Sequence, residues 1–355
     1  MYNLEYQVSD MRNINVDLNH DELFKNNKPL LAFSPDNDYQ LWKEQIREKY
    51  TELLGLREIA KNDCDLDIEI EETKEFDEYT RIRYAFMSEK DVAVPCYLLI
   101  PKEKKQDKFP VMICLQGHTT GFHISIGEKK YDIDDRWVHT NNHAIDAVKL
   151  GFVALCIEQR GMGERTTPRE DRGRAITCGC YFTAMTALLL GRTLIGERVW
   201  DVHKGIDSLS SFEDKFNLDL DDIILLGTSG GGTATYYSAC FDKRIKIAVS
   251  CCAICSFRDS IAYRSHCACN YVPQIAKFMD MGELACLIAP RKLLICNADK
   301  DPIFLYDGAK EVWNVIDKIY KKEKSPDNVR FKTFENKAHY FDKEVVFKEL
   351  MDLRK

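Results

Sequence analysis

Ser229 lies in a G-x-S-x-G pattern, Gly227-Thr228-Ser229-Gly230-Gly231, between the aliphatic run Ile223-Ile224-Leu225-Leu226 and a helix-compatible stretch at 233–240. Strand, tight turn and helix form the setting in which a serine stands on a strained turn and acts as a nucleophile. The glycines meet a steric need. Gly227 and Gly231 let the strand and helix pass close together, and Gly230 leaves its N–H free to face a ligand. The competing reading is a glycine-rich turn that happens to hold a serine; the flanking elements favour the nucleophile.

A serine hydroxyl attacks poorly unless a base takes its proton and an acid orients that base. On a nucleophile of this kind the partners follow in chain order, acid and then histidine. Two histidines follow Ser229. His266 lies in an insertion with no acid-bearing strand end between it and the serine. His339 follows the last predicted strand and is the expected base. The acid is expected after the apolar run 292–296, where Asn297-Ala298-Asp299-Lys300-Asp301-Pro302-Ile303-Phe304 offers both Asp299 and Asp301. The apolar residues after Asp301 favour it as a carboxylate above a pocket wall, with Asp299 as a solvated loop charge. An alkoxide forming on a carbonyl needs two N–H donors. Gly230 supplies one. The other is expected from Gln116-Gly117-His118-Thr119-Thr120-Gly121, with the His118 N–H first choice.

These residues must be carried by a scaffold that brings distant loops together. Apolar runs at 111–115, 152–157, 223–226, 245–250, 292–296 and 329–334 alternate with helical stretches, the pattern of a mostly parallel sheet with helices on both faces. Ahead of them, alternating segments at 66–70, 79–86 and 93–101 predict antiparallel strands at one end, and the block as a whole predicts about eight strands. Ligands of such sheets bind beyond the C-terminal strand ends, where every candidate above falls. Residues 1–62 read as a helical extension packed on the core, with an amphipathic helix at 38–55. Residues 63–355 read as the catalytic domain, with insertions near 119–146, 161–180 and 256–288.

Composition narrows the partners. The 355 residues are 45% hydrophobic and 30% charged, with net charge −7, which argues against nucleic acid as the main partner. The first residues carry no basic segment followed by an apolar one, and no apolar run reaches membrane-spanning length, so neither export nor a membrane partner is expected. Fourteen cysteines without a leader point to free thiols in a reducing compartment, hence the cytoplasm, with a trimmed exported protein as the alternative.

Three further groups merit weighing. Cys178-Gly179-Cys180, Cys251-Cys252 with Cys255, and Cys267-Ala268-Cys269 invite a metal reading, but C-x-C spacing fits zinc poorly and the neighbours are apolar. They read as structural thiols, with a disulfide as the lesser alternative, and no metal or cofactor is expected. His118, His123, His139 and His143, with Asp132, Asp134 and Asp135 among them, read as a polar rim in preference to a metal site. Arg160, Glu164 and Gln116 are the candidates for substrate contact. For Arg160 the favoured alternative is that it braces its own glycine-rich loop through carbonyls. Asp201 reads as an internal ion-pair or capping residue.

Leu115-Gln116-Gly117-His118, Gln159-Arg160-Gly161-Met162-Gly163-Glu164-Arg165, Leu190-Gly191-Arg192-Thr193, Val199-Trp200-Asp201, the glycine-flanked serine, Cys267-Ala268-Cys269-Asn270-Tyr271-Val272-Pro273 and Ala289-Pro290-Arg291 together carry a resemblance. From about residue 38 onward the chain resembles the α/β-hydrolase superfamily, and within it the acetyl xylan esterase and dienelactone-hydrolase-like serine esterases of bacteria. The resemblance implies an α/β-hydrolase fold, Ser229 as nucleophile, His339 as base and Asp301 in preference to Asp299 as acid, since the family's acid precedes an apolar pair matched here by Ile303-Phe304. It implies deacetylation of small acylated sugars or related esters. Gln116 departs from the histidine of many relatives, Asn297 from a glycine and Leu305 from a proline. A peptidase or thioesterase on the same triad, or a non-catalytic binding protein on this scaffold, are the competing functions. Self-association is left open.

Overall fold

The computed structural model describes residues 16–105, 107–166 and 179–355. The chain begins with α1 (Val16–Lys25), α2 (Tyr39–Leu53) and α3 (Leu56–Ala60). Asp38 caps α2 by accepting the Leu41 N–H at 3.2 Å, and four-residue spacing sets Trp42, Ile46 and Tyr50 on its buried face. Trp42 donates Nε1–H to Leu31 O at 2.9 Å and Tyr50 donates its hydroxyl to Tyr237 O at 2.6 Å, so this face is docked by polar contacts as well as by area. Truncating a buried aromatic such as Trp42 costs about 3–5 kcal/mol.

An antiparallel meander follows: β1 (Glu69–Glu75), β2 (Tyr79–Glu89) and β3 (Val92–Pro101). Then come β4 (Phe109–Leu115), α4 (His143–Lys149), β5 (Val153–Ile157), α5 (Cys180–Leu189), α6 (Leu194–Leu209), α7 (Glu213–Phe216), β6 (Leu218–Thr228), α8 (Gly230–Phe241) and β7 (Ile245–Cys251). The chain closes with α9 (Ile275–Phe278), α10 (Met281–Leu284), β8 (Lys292–Ala298), α11 (Tyr306–Lys322), β9 (Val329–Phe334) and α12 (Lys343–Arg354). One sheet holds nine strands in the order β1-β2-β3-β5-β4-β6-β7-β8-β9. It is antiparallel from β1 to β5 and parallel from β5 to β9.

Every residue of β4 and of β5 is buried, as helices on both faces require. Val111, Ile113 and Leu115 face one layer with residues of α2, α6, α8 and α11, while Met112 and Cys114 face the other with residues of α4 and α12. The strand expected at 66–70 is the exposed β1, which starts at Glu69 and not at 66. Asp67 takes a left-handed φ of 39° and interrupts the extended run there. Residues 167–178, including Cys178 and much of the expected 161–180 insertion, lie outside the described residues, as do residues 1–15. No helix among the described residues is long and apolar enough to cross a membrane.

Candidate active site

β6 and α8 meet at Ser229, which is half-buried and has φ 55° and ψ −122°. A non-glycine residue held there costs on the order of 1–3 kcal/mol and persists only where its surroundings over-determine it. The surroundings are tight backbone. A side chain on Gly227 would lie 2.3 Å from Gly231 O, and one on Gly231 2.2 Å from Leu115 O. The Ser229 N–H donates to Cys251 O at 2.8 Å, tying the turn to the end of β7.

Asp301 and His339 come from the loops after β8 and β9. His339 Nδ1 lies 2.7 Å from Asp301 Oδ2. The other carboxylate oxygen accepts the N–H groups of Ile303 (2.9 Å) and Phe304 (3.1 Å). Asp301 is thus fully buried with each oxygen engaged, and the 302–304 turn that suggested a pocket wall supplies its donors. The histidine bond goes to Asp301 and not to Asp299. The Phe304 ring stacks on the imidazole, with centroids 5.9 Å apart and planes 16° apart. His266, set aside on sequence grounds, is a neighbour of this pair. Its Nε2 meets Ser260 Oγ at 2.8 Å and Ile303 O at 3.0 Å, its ring stands edge-on to Phe304, and burial lowers its pKa. The Cys252 thiol also borders Asp301 and His339; it donates to Tyr340 O at 3.1 Å, and burial pushes it well above the ordinary thiol range. Neither was foreseen, since both reach the site only through the folded loops.

The loop after β4 lies against Ser229. A Cβ on Gly117 would sit 3.2 Å from the Ser229 Cβ, and one on Gly230 would sit 2.6 Å from the His118 ring. His118 is therefore beside the residue that follows the serine. Gln116 is not turned to a ligand. Its amide donates to buried Glu158 at 2.9 Å, and Glu158 also accepts the Phe122 and Glu164 N–H groups. Burial is the main reason the Glu158 pKa rises to about 7, with those backbone donors pulling the other way.

All three candidates for substrate contact already hold protein partners. Gln116 is a buried brace. Arg160 is buried and grips Asp201 through two bonds of 2.9 Å and Glu89 through one of 2.6 Å, so it braces through carboxylates rather than the carbonyls expected. Arg165 joins at Asp201, while Arg192 bridges Glu89 and Glu197. Charges buried this deeply need such partners. Glu164 is held near the surface by Arg83 and Lys130. The four loop histidines also separate. His123 pairs with Asp134 at 3.0 Å. His143 packs edge-on to Phe341 with its pKa lowered to about 3 by burial. Lys343 reaches the His139 backbone oxygen at 3.5 Å.

His118 instead joins cysteines. Its Nε2 is 3.2 Å from Cys269 Sγ, and Cys180 and Cys267 complete the group. Burial opposes its charge, yet Cys269 and Cys180 outweigh that and raise its pKa to about 9. A cavity of about 770 Å³ lies nearby, between α1 and the 257–277 segment; Asn270 and Tyr271 line it, and Ser229, Asp301 and His339 do not.

Residues 3–191 match the Abhydrolase family. YtaP of Bacillus subtilis (strain 168), named as a hydrolase, is 25% identical over 239 residues, spanning 66% of this chain and 75% of its own. A solved structure named as an acetyl xylan esterase, from Bacteroides fragilis NCTC 9343, shares the fold with a TM-score of 0.74 at 17% identity, covering 98% of this chain and 97% of that one. A glucuronoyl esterase from Solibacter usitatus gives a TM-score of 0.62 at 13% identity, covering 92% and 96%.

Proposed function

The chain belongs to the Abhydrolase family of α/β-hydrolases, and from that premise we propose that it hydrolyses carboxylic esters through a serine acyl-enzyme. His339 takes the proton from Ser229 Oγ as the serine attacks the ester carbonyl. The N–H groups of Gly230 and His118 hold the negative oxygen. Asp301 fixes the imidazole with Nδ1 toward itself, which leaves Nε2 for the serine proton, and it stabilises the cation that forms. His339 then gives the proton to the departing alcohol. Water, deprotonated by the same imidazole, releases the acid and restores Ser229.

The observation that carries this reading is the 2.7 Å bond between His339 Nδ1 and Asp301 Oδ2, beyond β8 and β9 of the sheet whose β6 ends in Ser229. The substrate is an acetylated sugar or a related small ester. Support for that class comes from the likeness to a fold carried by proteins named as acetyl xylan and glucuronoyl esterases.

Replacing Ser229 with Ala is expected to lower p-nitrophenyl acetate hydrolysis by about 10⁴-fold or more while the thermal midpoint holds. Turnover retained by S229A overturns the assignment. A panel of acetylated oligosaccharides, methyl uronates, thioesters and peptides then reads the substrate class.

A further inference from the structure

We propose that His118, Cys180, Cys267 and Cys269 bind one zinc ion that locks the loop beside the serine. The four donor atoms, one imidazole nitrogen and three sulfurs, all lie within 4.8 Å of one another. A tetrahedral zinc with Zn–S near 2.3 Å and Zn–N near 2.0 Å has donor–donor edges of about 3.5–3.8 Å. Closing the group to that size needs side-chain shifts of no more than about 1 Å. The set is soft and holds no carboxylate, which favours zinc and disfavours magnesium or calcium.

Arg198 is a second, independent observation. It is 1% exposed, and two of its nitrogens donate to Arg160 O at 3.1 and 2.7 Å. Among the described residues no carboxylate pairs with it. Its remaining contact is Cys180 Sγ, at 3.1 Å from Nη2. A buried guanidinium calls for an opposing charge. Three thiolates and a neutral imidazole around a doubly charged ion leave one net negative charge, which Arg198 neutralises. A disulfide between two of these sulfurs is neutral and leaves a single thiolate for Arg198 and His118 to share.

Four protein ligands close the coordination sphere, so the ion is structural. What it ties together has a bearing on catalysis. Cys180 opens α5, and Cys267 and Cys269 lie in the insertion after β7. His118 is the residue whose ring rests on Gly230, 2.6 Å from where a Cβ would be. Binding deprotonates the thiols, so loading falls in acid. Holding the His118 ring by Nε2 fixes the backbone of the 117–121 turn and thereby the direction of its N–H groups. Under the proposed esterase reading, the ion is a positioning device for the oxyanion donor. Zinc binding itself does not depend on that reading.

The test is metal content of the full-length protein purified under reducing conditions. The expected result is about one zinc per chain, falling below about a tenth in C267S and C269S. Because either variant can lose its fold, chelator-treated wild type is measured as well. Cobalt added to it is expected to give the thiolate-to-cobalt charge-transfer absorption of a sulfur-rich tetrahedral site. Zinc added back is expected to raise the thermal midpoint. Folded protein that carries no zinc and takes up no cobalt overturns the proposal, as does a disulfide among Cys180, Cys267 and Cys269 found by mass spectrometry. Zinc kept by S229A while C267S and C269S lose it separates this proposal from the esterase assignment.

Discussion

On the acid–base side of the candidate site, Asp301 is held by the N–H groups two and three residues ahead of it, and His339 rests on Asp301 and the Phe304 ring. On the side proposed to hold the oxyanion, Gln116 leans on Glu158, forty-two positions away, beside a buried network joining Arg160, Asp201, Glu89, Arg192 and Glu197. The first is a local device built from one short turn. The second is a set of long-range polar contacts in a dry environment. The contrast teaches where chemistry and stability part company. Under the proposed esterase reading, removing a group from the first disables proton transfer and leaves the core intact, whereas removing one from the second strands charges inside the protein.

The largest expected effect lies on the local side. Asp301→Asn keeps an acceptor for the two backbone donors but favours the wrong imidazole tautomer, so kcat is expected to fall about 10⁴-fold with little change in the thermal midpoint. A collapse of stability in that variant breaks the comparison. On the other side, Arg160→Met leaves Glu89 and Asp201 short of a cation and is expected to cost about 3–5 kcal/mol in urea denaturation, with activity per folded molecule largely kept. A loss below about 1 kcal/mol means the network is far more hydrated than its burial indicates.

The smallest effect concerns pH. A carboxyl whose folded pKa lies above its unfolded value stabilises the fold when protonated. The contribution of Glu158 is therefore fully present below about pH 4.5 and is lost as pH rises through about 7. Glu158→Gln is expected to flatten that fall in a plot of thermal midpoint against pH. Part of the fall remains, because burial also raises Asp280 to about 7. An unchanged curve in E158Q removes Glu158 as a source.

The same division separates what could be read in the residues from what could not. The parallel strands, the turn at Ser229 and the loop holding Asp301 are written in contiguous stretches, so apolar runs and glycine spacing were enough to find them. Arg160 was expected to meet either a ligand or nearby carbonyls; its partners at Glu89 and Asp201 lie on other elements, and no local pattern reveals them. In the sequence the cysteines stand in C-x-C pairs, a spacing that fits zinc poorly. The folded chain makes a four-residue group from three separate segments, which pairwise spacing does not reveal. His266 and Cys252 escaped for the same reason.

β1 has a consequence for what two molecules do when they meet. It is wholly exposed along Glu69–Glu75, and among the described residues no strand lies beside its outer N–H and C=O groups. A bare sheet edge is a template on which another chain can crystallise into a growing ribbon. Here the template carries Glu69, Glu71, Glu72 and Glu75, with Lys74 as its lone cation. Two copies aligned edge to edge would crowd their glutamates together, and the bulge between Ile70 and Glu72 would spoil the match of their hydrogen-bonding groups. Like charge and a broken register thus disfavour the pairing of two such edges.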